Sequence, residues 1–381
     1  MSLPSGSDVV VVGGGVMGAS TAFHLAEAGV SVVLLERGDL AGGSTSRAAG
    51  GVRANFSDEL NIALGKRSLE LFEKFGERPG QEIDLHRSGY LFVLTRPEDV
   101  DLFERSVALQ NSLGVESRMV DVDEACRLSP LLNPEGVLAA AWSPNDGHCA
   151  PESVVLGYAT GARRFGATVR TGVEVIGIDS SGGEITSVRS TDGDISTGCV
   201  IDCAGAWSPE VAAYVGVGLP VTPYKRELLI TEPMPDPIDM AFTIDYATSF
   251  YWHREGPGIL TGYSHKDTEP GFDISRDADF PERLGELAAV RAPALLDLGV
   301  RSGWAGLYEV TPDHNALLGE AASPARFLYA TGFSGHGFLQ GPAIGEILRD
   351  MYLGEAPFID VSPLDVRRFE TGDLRPEKNI V

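Results

Sequence analysis

The chain has 381 residues, 43% of them hydrophobic and 22% charged, which is enough to bury a large core and points to two domains. Its 30 Lys and Arg against 54 Asp and Glu leave a net charge of −24, which argues against nucleic acid and anionic membrane surfaces as partners. No apolar run reaches the length of a membrane span, and Met1 to Ser7 lacks the basic start and apolar core of a signal peptide, so a cytoplasmic location is expected. Cys126, Cys149, Cys199 and Cys203 lack metal-ligand spacing and are expected to be reduced structural thiols, with no metal site.

Asp8 to Glu36 reads as strand, tight turn, helix and strand. Val9 to Val12 are β-branched, as a strand buried on both faces requires. Gly13, Gly15 and Gly18 follow at the spacing G-x-G-x-x-G, with Val16 and Met17 inside the motif. Gly13 permits the turn, Gly15 lets backbone approach a diphosphate, and Gly18 lets helix and strand pack closely. The N-H groups opening the helix then face the anion. The second strand ends at Glu36, 18 residues past Gly18, where a carboxylate accepts the hydroxyls of an adenosine ribose. Glu36 argues against a 2'-phosphate, an effect that Arg37 softens only slightly, and the stretch alone fits NAD or FAD.

Gly38 to Arg53, GDLAGGSTSRAAGGVR, is a loop of small residues placed to run against a flat ligand. Ser44, Thr45 and Ser46 offer hydroxyls and amides, and Arg47, Ala48, Ala49 and Gly50 continue the loop. Arg53 closes it, as a candidate carboxylate clamp or an ordinary surface ion pair. Asp58 to Phe75, Pro97 to Leu113 and Asp121 to Leu128 read as helices, and Gly89 to Leu94 and Leu138 to Ser143 as strands. Pro151 to Phe165 is a helix expected to bury Val155, Leu156, Tyr158 and Ala159. Gly166 to Asp179 alternates as a strand pair, with hairpin turns at Gly182-Gly183 and Asp192-Gly193. Cys199 to Gly205 is a buried strand running into AGAWSP, where Ala204, Gly205 and Trp207 either adjoin a ligand or turn the chain into a helix near Pro209.

Between about Tyr214 and Ala305, the short strands Glu227 to Thr231, Ser249 to His253 and Gly258 to Thr261 alternate with proline turns, the texture of an inserted antiparallel sheet. Alternation puts Tyr251 and His253 on one face of their strand and Trp252 on the other, and a core place and a ligand-facing place for Tyr251 are equally open. Gly303 to Gly319 and Phe327 to Gly345 are again glycine-rich. The second reads as strand, glycine loop and a helix from about Gln340, whose N-terminus beside a redox ring stabilises negative charge on it.

Together these residues resemble the D-amino-acid oxidase superfamily of flavoproteins, and within it the sarcosine oxidase and glycine oxidase branch. The resemblance rests on VVVVGGGVMGASTAFHLAEAG-VSVVLLERGD, GGSTSRAAGGVR, DGHCAPESVVLGYATGARRFGATVRTGVEV, DCAGAWS, GLYEVTPDHNALLG and ATGFSGHGF, in the family's order. It implies an α/β fold: a Rossmann-like FAD-binding domain in three pieces (1–85, 146–213 and 306–381) with an inserted antiparallel β-sheet substrate domain (86–145 and 214–305). It implies that Gly13, Gly15, Gly18 and Glu36 hold the adenosine diphosphate, that Ser44 to Ala49 line pyrophosphate and flavin, and that Val175 touches the adenine through its backbone. Gly306 and the run Gly332, Phe333, Ser334, Gly335, His336, Gly337, Phe338, Leu339 would border the flavin ring.

The same resemblance places a carboxylate-binding Arg on Arg53, with Tyr251, His253, Tyr308 and His336 as the other candidate catalytic residues. Leu339 stands where sarcosine oxidases carry a second carboxylate-binding Lys, and Tyr308 where glycine oxidases carry an Arg. The lysine held to activate oxygen falls on Leu260, with Lys266 near but out of register. Gly306 and Arg47 occupy the positions of the flavin-linking Cys and His of relatives, and Pro151 that of an FMN-linking His, so FAD alone, bound noncovalently, is expected. The implied reaction is oxidation of the C–N bond of an amino acid, an N-substituted glycine such as sarcosine or a larger N-carboxymethyl amine, by hydride transfer to flavin N5 and imine hydrolysis. Oxygen or another acceptor then reoxidises the flavin. The alternatives are the catalytic subunit of a multi-subunit proline- or sarcosine-type dehydrogenase, and a flavin-bound assembly protein without turnover.

Overall fold

The computed structural model describes residues 3–265 and 267–380. Its first sheet has six strands in the order Leu317–Glu320, Phe327–Thr331, Val200–Asp202, Val9–Val12, Val32–Leu35 and Thr168–Arg170. All neighbours are parallel except the first pair. Period-2 alternation divides its side chains between two cores. Val9, Val11, Val32 and Leu34 meet Phe23, Tyr158 and Ile344 of the helices Val16–Glu27, Pro151–Arg164 and Gly337–Leu353. Val10, Val12, Val33 and Leu35 meet Ile178, Ile185 and Val188 of the three-stranded meander 175–196. Four apolar residues in a row are therefore what each central strand needs, because neither face sees water.

The second sheet has eight strands, in the order Val300–Val310, Thr222–Thr231, Gly258–Tyr263, Phe250–Glu255, Phe242–Asp245, Tyr90–Leu94, Ala139–Ser143 and Arg118–Val120. It is antiparallel apart from one parallel junction, Phe242–Asp245 against Tyr90–Leu94, where two separate stretches of chain meet. Trp252, Leu91 and Leu229 pack on one face with the helix Phe280–Arg291, while Tyr251, Phe92, Leu228 and Phe242 form the other.

Three readings of the sequence change. Leu156 is 49% exposed, because the buried stripe of its helix runs through Val155, Tyr158, Ala159 and Ala162, and Leu156 lies about 100° away from it. The glycine-rich Gly303 to Val310 is part of an 11-residue strand, paired along its length with Thr222–Thr231. The final long helix starts at Gly337, with His336 at its N-cap.

Candidate active site

A cleft of about 400 Å³ runs between the two sheets. Its nucleotide end is built by the opening βαβ unit. Gly13 has φ 108°, and a Cβ on Gly18 would collide with the Gly13 carbonyl oxygen, so helix and turn touch only as backbone. Gly15 caps the Val16–Glu27 helix without a side-chain bond and with no acid in the first turn, so its N-H groups are available to an anion apart from Val16, which donates to Thr45 Oγ1 at 3.2 Å. Glu36 accepts from Gly14 N-H at 2.6 Å and Gly38 N-H at 2.7 Å, which fixes the carboxylate in the wall and leaves lone pairs for further donors. Met17, Arg37, Val175, Ala204, Gly205 and Trp207 share this end, with the Arg37 guanidinium 4.1 Å over the Trp207 ring.

The other end lies where the roof sheet meets the glycine-serine loop. Ser44, Thr45, Arg47, Ala48 and Ala49 form its floor, and Tyr251, Gly306, Tyr308, Gly335, Gly337 and Phe338 lie around it. Roof and floor are tied by hydrogen bonds: Trp304 Nε1-H to Arg47 O at 3.1 Å, and Arg47 Nη1-H to Ala305 O at 3.1 Å. A Cβ on Gly306 would come within 2.7 Å of Arg47 Cβ, so glycine is what lets the strand settle on the loop. Burial holds the Tyr251 and Tyr308 phenols protonated, both with pKa raised above 10.0.

Several expected residues lie off the wall. Arg53 is 4% exposed and bonded elsewhere: Nη1 donates to Asn55 Oδ1 at 2.9 Å, Nη2 to Asn379 O at 2.7 Å, and its guanidinium carbon lies 4.1 Å from the centre of the Phe56 ring. His253 is buried in the roof, stacked at 4.5 Å on Phe242, with Nδ1 2.8 Å from Arg254 O and Nε2 3.1 Å from Ala49 O. Burial lowers its pKa to about 4, so the neutral ring has one N-H for those two oxygens. His336 packs edge-on to Phe56 at 5.0 Å, and burial keeps its pKa well below the usual imidazole value. Gly18, Ser46, Gly50, Gly332, Phe333, Ser334 and Leu339 also lie behind the wall. Gly50 and Gly332 turn at positive φ, Phe333 and Leu339 are core, and Ser334 Oγ accepts from Thr311 N-H at 3.2 Å. Lys266 lies outside the described residues.

Among the wall residues that escaped the sequence reading are two charged ones, Arg226 and Glu309. Arg226 precedes the point where the strand was expected to start, yet the strand begins at Thr222 and alternation sets Arg226 with Leu228 on the cleft side. Glu309 sits in the buried strand GLYEV, where an acid is itself a signal. Burial raises its pKa from 4.5 to about 7, partly opposed by a hydrogen bond with Ser44. Among the described residues, His148, His253 and Glu255 gather three metal-capable atoms within 4.8 Å, but both His253 nitrogens already face carbonyl oxygens. Among the described residues no helix is long and apolar enough to cross a membrane.

The FAD dependent oxidoreductase (DAO) family model matches residues 8–351. Dimethylglycine dehydrogenase from Rattus norvegicus is 29% identical over 95% of this chain and 45% of its own length, so the chain spans about half of that relative. L-Proline dehydrogenase from P. horikoshii superposes with a TM-score of 0.93 at 33% identity, over 98% of this chain and 100% of that one. Glycine oxidase from Geobacillus kaustophilus gives 0.87 at 26%, over 96% and 99%. The glycine turn, the bare helix N-terminus, Glu36 and the small-residue floor fit FAD. The chain belongs to the family of FAD-dependent oxidoreductases of the D-amino-acid oxidase type.

Proposed function

We propose that the protein oxidises the C–N bond of an amino acid, an N-substituted glycine or a cyclic imino acid, with noncovalent FAD. The observation that carries this reading is the end of the cleft where two protonated phenols, Tyr251 and Tyr308, and the Arg226 guanidinium lie beside the glycine-serine floor. Such a wall offers donors to a carboxylate and apolar ring faces to the rest of a small substrate. FAD, when bound, supplies the acceptor for the hydride leaving the substrate carbon, and water then converts the imine to carbonyl product and amine. The residues at this end are binders and positioners. With its amine neutral, the substrate needs no proton removed by a side chain. The names of relatives support the same reading: dimethylglycine dehydrogenase, L-proline dehydrogenase and glycine oxidase.

A second reading, an electron-transferring dehydrogenase subunit, is favoured by Leu260. It fills the place of the oxygen-site lysine with a side chain 2% exposed in the apolar cluster around Tyr251. The purified chain should be yellow, and anaerobic sarcosine, proline, glycine or an N-alkyl glycine should bleach it. Bleaching by none of these sinks the proposal. Rapid peroxide formation in air selects the oxidase, and its absence selects the subunit.

A further inference from the structure

Arg226 is the guanidinium on this wall with a buried, unpartnered N-H. Arg37 covers Trp207, and Arg47 bonds the Ala305 carbonyl. Arg226 donates Nη1-H to the carbonyl of its own neighbour Lys225 at 2.8 Å, its Nε is buried without a partner, and no described carboxylate pairs with it. A half-buried, unpaired cation is costly, and burial does lower its pKa. The ring of Tyr308 lies 5.2 Å from the guanidinium carbon and that of Tyr224 6.0 Å, so aromatic faces hold its plane. Gly306, its cross-strand partner, adds no side chain beside it and is seated on Arg47 of the floor loop.

Arg226 also lies on a second cavity of about 300 Å³, on the outer side of the same strand. Glu227, Asp267, Glu269, Asp273 and Asp277 line that cavity. Among the described residues its other two cations are already committed to acids: Lys225 Nζ is 2.6 Å from Asp277 Oδ1, 3.7 Å from Asp273 Oδ2 and 3.8 Å from Glu227 Oε1, and Arg283 Nη2 is 3.1 Å from Asp279 Oδ1 and 3.6 Å from Asp277 Oδ2. An anion reaching outward past Arg226 meets the carboxylates of Asp267 and Glu269, which pair with no described cation.

We propose that Arg226, and not Arg53, anchors the substrate carboxylate, and that the acidic cavity beyond it confines the site to substrates with a single carboxylate. This rests on the amino-acid reading above and assigns its specificity. A guanidinium held between aromatic faces with Nη2 uncommitted presents a fork to one carboxylate. Arg53 cannot do this without giving up Asn55 and Asn379.

The test begins with the wild-type holoenzyme, bleached anaerobically by sarcosine and proline and by the dicarboxylates iminodiacetate and glutamate. The monocarboxylates should react at least about tenfold more efficiently, and equal efficiency overturns the selectivity. Should no compound bleach the flavin, the functional reading fails, while the anchor is still measured by titrating the flavin spectrum with benzoate and benzamide. Arg226→Gln should weaken benzoate about 100-fold and leave benzamide and FAD content unchanged. Arg226→Lys keeps charge without the fork and should weaken benzoate about tenfold. Benzoate bound as tightly by Arg226→Gln as by wild type overturns the anchor. If that variant loses FAD, an unaltered benzoate-to-benzamide ratio in Arg226→Lys does so.

Discussion

Asp202 gives the sharpest quantitative test of how the cleft is built. It ends the Val200–Asp202 strand, and its Oδ1 holds the turn bordering the cleft by accepting from Ala204 N-H and the Ser208 hydroxyl, both at 2.9 Å. Oδ2 is buried with no partner among the described residues. Burial raises the pKa from 3.8 to about 7, against the pull of those two donors. The native state therefore holds a proton that the unfolded chain releases near its ordinary value. From pH 3.8 to about 7 the folded form binds more protons than the unfolded, so stability falls as pH rises, and the penalty is complete above about 7. At about 1.4 kcal/mol per pH unit, the full shift sets a ceiling of about 4 kcal/mol. Asp202→Asn keeps the shape and the Oδ1 acceptor but never ionises. Urea unfolding of FAD-saturated protein should show the variant gaining on wild type by about 3 kcal/mol between pH 5 and pH 8.5. Parallel pH curves for the two proteins would refute the reasoning.

Glu309, also raised to about 7 by burial, lies on the cleft wall, so FAD should bind about tenfold more weakly at pH 8.5 than at pH 6 as the carboxylate ionises near an anionic ligand. Glu309→Gln should abolish that dependence, and a variant that keeps the slope in FAD titrations would discard the assignment. Gly18→Ala sets a methyl against the Gly13 carbonyl oxygen and should cost at least about 100-fold in FAD affinity, visible as a nearly colourless purified protein; a wild-type yellow protein counts against it. Arg53→Met removes donors from Asn55 and from the Asn379 carbonyl and should lower stability by about 3 kcal/mol in urea unfolding. A loss below about 1 kcal/mol would mean that Arg53 is not the pin described.

Elements set by local chemistry were readable from the chain. The strand Val9–Val12 needs only a run of β-branched residues, and the helix Glu59–Glu73 announces itself through Asp58, whose Oδ1 accepts from Leu60 N-H at 2.9 Å. The strand Val300–Val310 was hidden by its own glycines. A Cβ on Gly303 would lie 2.7 Å from Leu228 O, and one on Gly306 2.7 Å from Arg47 Cβ, so close packing against a neighbouring strand and a distant loop forces residues that look like turn signals. The strand Phe242–Asp245 likewise escaped, because its parallel partner Tyr90–Leu94 lies about 150 residues earlier and leaves no turn to mark it.

The two arginines show why a site is harder to read than a fold. Arg53 and Arg226 are chemically identical, and the sequence favours Arg53 because it follows a loop of small residues. What separates them is tertiary. Arg53 meets a carbonyl 326 positions away, at Asn379, and a second acceptor at Asn55, and these hold both its terminal nitrogens behind the wall. Arg226 lies on a strand whose register places it opposite Gly306, and the strand that carries Gly306 is seated by Trp304 and Ala305 on the floor loop at Arg47. The same hydrogen bonds that close the roof therefore aim the uncommitted cation into the cleft. A residue becomes an anchor here through what the fold denies it: a buried charge whose partners are withheld keeps its donors for a ligand.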